Sequence, residues 1–307
     1  MAEEAVLVHD IAPPHPRYTQ FGQFVADIAR RTQGMLAIAV NPGGKILYPG
    51  QASLDAVRAK KVPLTFVNSA FLQSVDPDLG VLNLPFTITD EMMAAPGRAE
   101  GVLRFVRHSL EPRGLKVLAL VRGADTILIF PARQPRAPVD LQGLKIRVAG
   151  PGVYQDILRS LGAEPVIFPA IEMGAALKRG AMDGIVTSPG GWGKNVQDAP
   201  SATQVPGLLF YTYFLLADAA WYDALPADQR TALAEAGRTT VTEKWAEMRD
   251  DDARLVADLL ASKGARQLRI PPEAAGEWKA RTAPVVQKFG AARPEALARW
   301  RALAGAP

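Results

Sequence analysis

The chain is predicted to be an α/β protein with two lobes. Short apolar runs alternate with segments of helical period, and the alternation starts again after residue 123. A length of 307 residues is enough for two lobes that each bury an ordinary core. In order, Val6-Leu7-Val8 reads as a strand, and the prolines at 13, 14 and 16 make a loop after it. Phe21, Phe24, Val25 and Ile28 recur at helical spacing over residues 18–32, and Gly34 ends that helix. Residues 35–40 form a strand, 41–44 a turn, 54–60 a helix and 64–67 the next strand. Residues 81–86 are apolar and extended, 97–110 helical, and 115–121 a strand.

The second round has strands at 126–130, 144–148, 166–168 and 184–186, with helices at 154–161 and 171–179. Residues 188–193, rich in proline and glycine, read as a loop. The apolar segment 208–217 is expected to return as a strand to the first lobe. Residues 226–263 carry only Pro226 and Gly237 as breakers, which predicts one or two long helices. Two more helices, 274–289 and 294–303, complete the chain. The expected division puts 1–123 and 207–250 in lobe I, and 124–206 and 251–307 in lobe II with its helical tail.

Composition narrows the function. Hydrophobic residues are 48% and charged residues 21%, a globular balance. The formal charge is +4 with no basic run, which argues against nucleic-acid binding. There is no cysteine, so disulfides, thiolate metal sites and cysteine nucleophiles are excluded together. No apolar stretch approaches the roughly 20 residues of a membrane span. Met1-Ala2-Glu3-Glu4 lacks the basic start and apolar middle of a signal peptide, so none is expected in these residues.

The stretch Asp140-Leu141-Gln142-Gly143-Leu144-Lys145-Ile146-Arg147-Val148 is the most telling. Together with Leu161-Gly162-Ala163, Ala176-Leu177-Lys178-Arg179-Gly180 and Met182-Asp183-Gly184, it resembles the TRAP (tripartite ATP-independent periplasmic) transporter solute-binding proteins. The opening loop through His15-Pro16, the run Leu82-Asn83-Leu84-Pro85-Phe86 and Trp221-Tyr222-Asp223-Ala224-Leu225-Pro226 extend the resemblance over nearly the whole chain. It implies a type II-like periplasmic binding fold with a long interdomain helix and no catalysis. The implied ligand is a small organic acid, held by lobe closure and passed to a TRAP membrane permease. A subunit presenting its ligand to a sensory receptor is the alternative, and an α/β enzyme a more distant one. The resemblance assigns the ligand carboxylate to Arg147, whose planar guanidinium matches a carboxylate with two parallel hydrogen bonds. An ion pair with a protein carboxylate is the competing role.

Two positions depart from the family pattern. Thr126 stands where many members carry a second arginine; Arg122 lies close by and is not assigned that role. Thr187 and Ser188 occupy the region of a family asparagine, and their hydroxyls still offer hydrogen bonds. Fewer charges for the ligand's far end favour a keto, hydroxy or aromatic monocarboxylate.

Trp192 either stacks on a ligand or closes its loop against its own lobe. Asn68 or Ser69 offers a hydrogen bond from the opposite wall, with a helix N-cap as the competing role, above all for Ser69. Tyr211 and Tyr213 share one face of their strand and line either the cleft or the core. His9 and Asp10 precede the loop that the resemblance places at the cleft mouth. No metal is expected, because His9, His15 and His108 lack the spacing of a zinc site. No cofactor is expected either: Gly193-Lys194-Asn195 lacks the earlier glycine and the following Ser or Thr of a phosphate loop. Neither a Gly-x-Ser-x-Gly elbow nor a compelling carboxylate pair is present. The tail after Pro271 leaves a monomer or a homodimer open.

Overall fold

Two sheets organise the chain, and each contains a strand that arrives from the other's side of the molecule. The computed structural model describes residues 4–11 and 15–305. Eleven strands are present among them: β1 (Ala5–Val8), β2 (Ile38–Val40), β3 (Leu64–Asn68), β4 (Leu115–Asp125), β5 (Ile127–Ile129), β6 (Lys145–Val148), β7 (Glu164–Ile167), β8 (Gly184–Thr187), β9 (Ser201–Gln204), β10 (Phe210–Asp218) and β11 (Arg266–Arg269). The first sheet runs β2-β1-β3-β10-β4 and the second β11-β9-β5-β8-β6-β7. Within the first, β1 is parallel to β2 and β3, while β10 is antiparallel to both β3 and β4. Within the second, β5 is the antiparallel intruder between β8 and β9.

The chain thus crosses between lobes at Thr126, from β4 to β5, and again from β9 to β10. The two crossings clasp one another. Thr126 donates from its backbone nitrogen and from Oγ1 to Leu209 O, at 3.1 and 2.7 Å, and Gly207 N donates to Asp125 Oδ1 at 2.9 Å. Every residue of β3 is buried, as is all of β10 but half-buried Tyr213, because helices cover the first sheet on both faces. Leu7, Phe21, Phe24 and Phe66 fill one face and Leu72, Phe105, Leu120 and Phe214 the other. Burying a side chain of this size contributes about 1.5–3 kcal/mol.

The long helical region is two helices. Ala227–Thr240 packs on the helix Pro16–Arg31 and on β4. After Val241 (φ −126°, ψ −68°) and a single turn at Thr242–Lys244, Trp245–Lys263 runs from β4 to the helix Pro189–Asn195 of the second lobe. The interruption is fixed from outside, since Thr242 Oγ1 accepts a hydrogen bond from Leu120 N at 3.1 Å.

Three expectations need correction. Residues 77–83 form a 3-10 turn rather than an extended run, started by Pro77 and capped by Asp76, whose carboxylate accepts from Asp78 N at 3.0 Å. The tail does not belong to the second lobe alone: Gly276–Ala292 packs on the helix Val153–Ser160, and Pro294–Ala304 on the helix Arg98–Leu110 of the first lobe. The apolar anchors Trp278 and Trp300 are consumed within the chain, Trp300 edge-on to Phe105 at 5.4 Å, which leaves the dimer expectation without support.

Candidate functional site

Arg147 stands on β6, a parallel strand of the second sheet, 4% exposed. Its neighbours are carbonyls, not acids. Nε donates to Phe168 O at 2.9 Å and Nη1 to Val186 O at 3.2 Å. Among the described residues no carboxylate is in salt-bridge contact with it, and Nη2 has no hydrogen-bond partner. Burial pulls its pKa down from the ordinary arginine value, opposed by the phenols of Tyr211 and Tyr213 and by Asp10. A guanidinium aligned by two backbone acceptors, with donors to spare, is arranged to receive an anion.

The wall across from it comes from β10 and β3. Tyr211 OH donates at 3.3 Å to Val186 O, the carbonyl that Arg147 also uses. Burial pushes the Tyr211 phenol up to about 12, so it stays neutral and a donor. Tyr211 and Tyr213 share one face of β10, and both act on the Arg147 charge; the register shifts between Tyr211 and Thr212, where β4 has Gly123 as an extra residue. Gly123 makes the shift possible: a Cβ there would lie 2.4 Å from Tyr211 O and 2.8 Å from the Tyr213 ring. Tyr213 pairs with Asn68 across β10 and β3. Asn68, rather than Ser69, caps the next helix, with Oδ1 accepting from Ala70 N at 2.8 Å. Its side chain lies against the Tyr213 hydroxyl, yet Nδ2 is buried with no aligned partner among the described residues.

Other expected residues have contacts within the protein. Trp192 is fully buried in the core of the second lobe, its Nε1 donating to Ala199 O at 3.2 Å. Thr126 belongs to the clasped crossing described above. His9 is sealed in the first lobe between Tyr18 and Phe21 and receives Ile11 N on Nδ1 at 3.1 Å. Burial lowers its pKa to about 3, so the ring is neutral. Residues 188–193 are not a loop: Ser188 caps the helix Pro189–Asn195 by accepting from Gly191 N at 3.0 Å. Thr187 ends β8 with its hydroxyl against Gly191, where a Cβ would sit 2.1 Å from Oγ1.

Ser188 has a second contact that crosses the molecule. Its Oγ lies 3.3 Å from Nε2 of His15, which caps the first helix of the other lobe. Burial and the charges of Arg17 and Lys194 lower the His15 pKa to about 3. Three glycines complete the lip where the lobes meet. A Cβ on Gly190 would lie 2.4 Å from His15 Nε2, one on Gly150 2.6 Å from Ala70 Cβ, and one on Gly152 2.6 Å from Gln73 Oε1. The lobes are therefore shut against each other.

Sequence reasoning missed a buried charge cluster behind this cleft. Arg122 donates to Asp90 from Nε and Nη2 at 2.7 and 2.8 Å and from Nη1 to Asp252. Arg17 pairs with the other Asp252 oxygen at 2.9 Å, and its Nε takes up the Arg122 carbonyl at 2.8 Å. Trp245 Nε1 adds a bond to Asp90 Oδ1 at 2.8 Å. Arg122 is thereby fixed to protein acids and is not a second ligand arginine. A groove of about 800 Å³ opens beside this cluster, lined by Asp90, Leu103, Arg107, Glu235 and Trp245, away from Arg147.

Comparison with known proteins completes the picture. The sequence profile of bacterial extracellular solute-binding protein family 7 matches residues 7–292. The C4-dicarboxylate-binding periplasmic protein DctP of Rhodobacter capsulatus is 26% identical over 242 residues, 77% of this chain and 72% of that one. An uncharacterized protein of Sinorhizobium fredii is 28% identical over 183 residues, 58% of this chain; the match spans only 33% of that longer protein. Among solved structures, DctP7, a Bordetella pertussis extracytoplasmic solute receptor binding pyroglutamic acid, superposes with a TM-score of 0.86 at 19% identity, covering 98% of this chain and 100% of that one.

Proposed function

The chain belongs to bacterial extracellular solute-binding protein family 7, and from that premise we propose that it captures a small organic acid outside the cytoplasmic membrane and delivers it to a membrane permease. The ligand's carboxylate sits on Arg147, and the ligand bridges the lobes, so that binding favours the shut form. Tyr211, Tyr213 and Asn68 supply the facing wall. One observation carries the reading: the Arg147 guanidinium is buried, oriented by two carbonyls, and without an acid in contact among the described residues. A charge so placed favours a state in which an anion neutralises it.

Related proteins are named for a C4-dicarboxylate and for pyroglutamic acid, so the family as a whole does not choose the ligand. Here a monocarboxylate, a keto, hydroxy or aromatic acid, fits best, because Arg122 is held by Asp90 and Asp252 and Thr126 by Leu209. No helix of the described residues is long and apolar enough to cross a membrane, in keeping with a receptor that works beside its permease.

A thermal-shift screen against a panel of carboxylic acids tests this. An acid present at 100 times its Kd stabilises by about 2.7 kcal/mol. The response should vanish in Arg147→Ala. No response to any acid, or an undiminished response in that variant, would remove the basis of the reading.

A further inference from the structure

We propose that Asp10 sets the ligand class: it selects acids whose far end carries a hydrogen-bond donor, a hydroxyl or N–H, and it turns dicarboxylates away. The inference rests on Arg147 being the carboxylate anchor and adds what the opposite end must be.

Strand register places the residue. β1 pairs with β3 in parallel through Leu7 with Leu64 and Val8 with Thr65. Asp10 follows two residues after the end of β1, at the same end of the sheet as the end of β3, where Asn68 pairs with Tyr213 of β10. Asp10, Asn68 and Tyr213 thus share one edge of the first sheet, the edge that faces Arg147 across the cleft. Asp10 is half-buried there and forms no salt bridge among the described residues. Its carboxyl pKa is raised by burial, while its own and the Gly50 N–H groups and the charge of Arg147 act the other way. Tyr213 is within electrostatic reach of both Asp10 and Arg147.

The cleft therefore has a cationic wall and an acidic wall. A ligand carboxylate on Arg147 points the rest of the molecule toward Asp10. A hydroxyl or N–H at that end donates to the Asp10 carboxylate, a charge-assisted hydrogen bond. A second carboxylate meets a like charge in a partly desolvated place, which is costly and rejects the wrong partner. Asn68 and Tyr213 orient such a far end but are neutral, so the discrimination between donor and anion falls to Asp10.

Three acids of equal chain length isolate the effect: butyrate, 4-hydroxybutyrate and succinate, measured by calorimetry at neutral pH. The native protein should bind 4-hydroxybutyrate at least about tenfold more tightly than succinate, a difference of about 1.4 kcal/mol. In Asp10→Asn, of nearly identical shape, that ratio should collapse toward one with the unliganded melting temperature unchanged. An unaltered ratio in Asp10→Asn, or a native preference for succinate, would overturn the assignment. The native ratio decides even if the variant fails to fold. Arg147→Ala separates the two levels: it should abolish binding of all three acids. If it does so while Asp10→Asn leaves the ratio intact, only the role of Asp10 falls. Retained binding in Arg147→Ala, or no native binding at millimolar concentration, removes the anchor and this inference with it.

Discussion

Arg122 and Arg147 are equally hidden, at 3% and 4% exposure, and have opposite occupations. Arg122 has two edges of its guanidinium taken by Asp90 and Asp252, and it lies over the Phe210 ring at 5.4 Å. Arg147 has carbonyls and phenols around it and no acid in contact among the described residues. Burial of a cation is thus a poor mark of a binding site. What separates the two is whether the protein supplies the counter-charge.

The contrast can be broken first at the hub. Arg122→Met leaves Asp252 with Arg17 and Asp90 with the Trp245 indole alone, and removing one partner of a buried ion cluster costs about 3–5 kcal/mol. Chemical denaturation should show that loss, with ligand affinity of the folded fraction changed by no more than a few-fold. Equal damage to affinity would mean that Arg122 belongs to the site. Arg147→Ala should do the reverse. Affinity for the captured acid should fall by about 30- to several-thousand-fold, equivalent to roughly 2–5 kcal/mol. The melting temperature of the unliganded protein should hold or rise, since a buried cation without a counter-ion has gone.

A smaller effect tests whether the shut form is a distinct state. His15 has its pKa lowered to about 3 where it meets Ser188, whereas an exposed histidine titrates near its ordinary value. Where opening returns His15 to its ordinary value, closing expels a proton between pH about 6.5 and about 3. The shut form is fully favoured above the higher of these values and loses ground as pH falls toward 3. One pH unit into that window corresponds to about 1.4 kcal/mol, so affinity at pH near 5.5 should be about tenfold below its neutral plateau. His15→Asn should flatten the profile. His9, lowered equally, touches first-lobe groups among the described residues; it should affect acid unfolding and leave the affinity profile alone. Least of all, Thr126→Val removes one hydrogen bond to Leu209 O, which still accepts from the backbone of residue 126. A loss of about 0.5–1.5 kcal/mol in stability is expected, with affinity unchanged. A large affinity loss would return Thr126 to the site.

The sequence revealed the parts of this molecule that local pattern controls. Apolar runs such as Leu64–Asn68 and Phe210–Asp218 are strands because they are buried on both faces, and burial is written in composition. Ser201–Gln204 and Arg266–Arg269 escaped notice because they are short and polar, and they exist only by pairing with each other and with β5. Arg147 was found through the motif around it. Its lack of an acid neighbour could not be read, since that depends on where Asp10, Asp90 and Asp252 come to lie in space. Trp192 misled because a tryptophan after a strand looks the same in sequence whether it faces the cleft or the core. Asp10 was legible only as a position near the cleft mouth; its opposition to Arg147 depends on the pairing of β1 with β3.

The glycines at the lip have a mechanical meaning. Gly150 and Gly190 have negative backbone angles that alanine tolerates, unlike Gly152 at φ +72°. They are small because the facing lobe leaves no room, not because the chain must turn there. A single methyl at either place would act as a doorstop, halting the swing of one half before it reached the other. How far this molecule can travel is thus decided by the smallest side chains at its rim, and a receptor propped ajar could be made without touching a ligand contact.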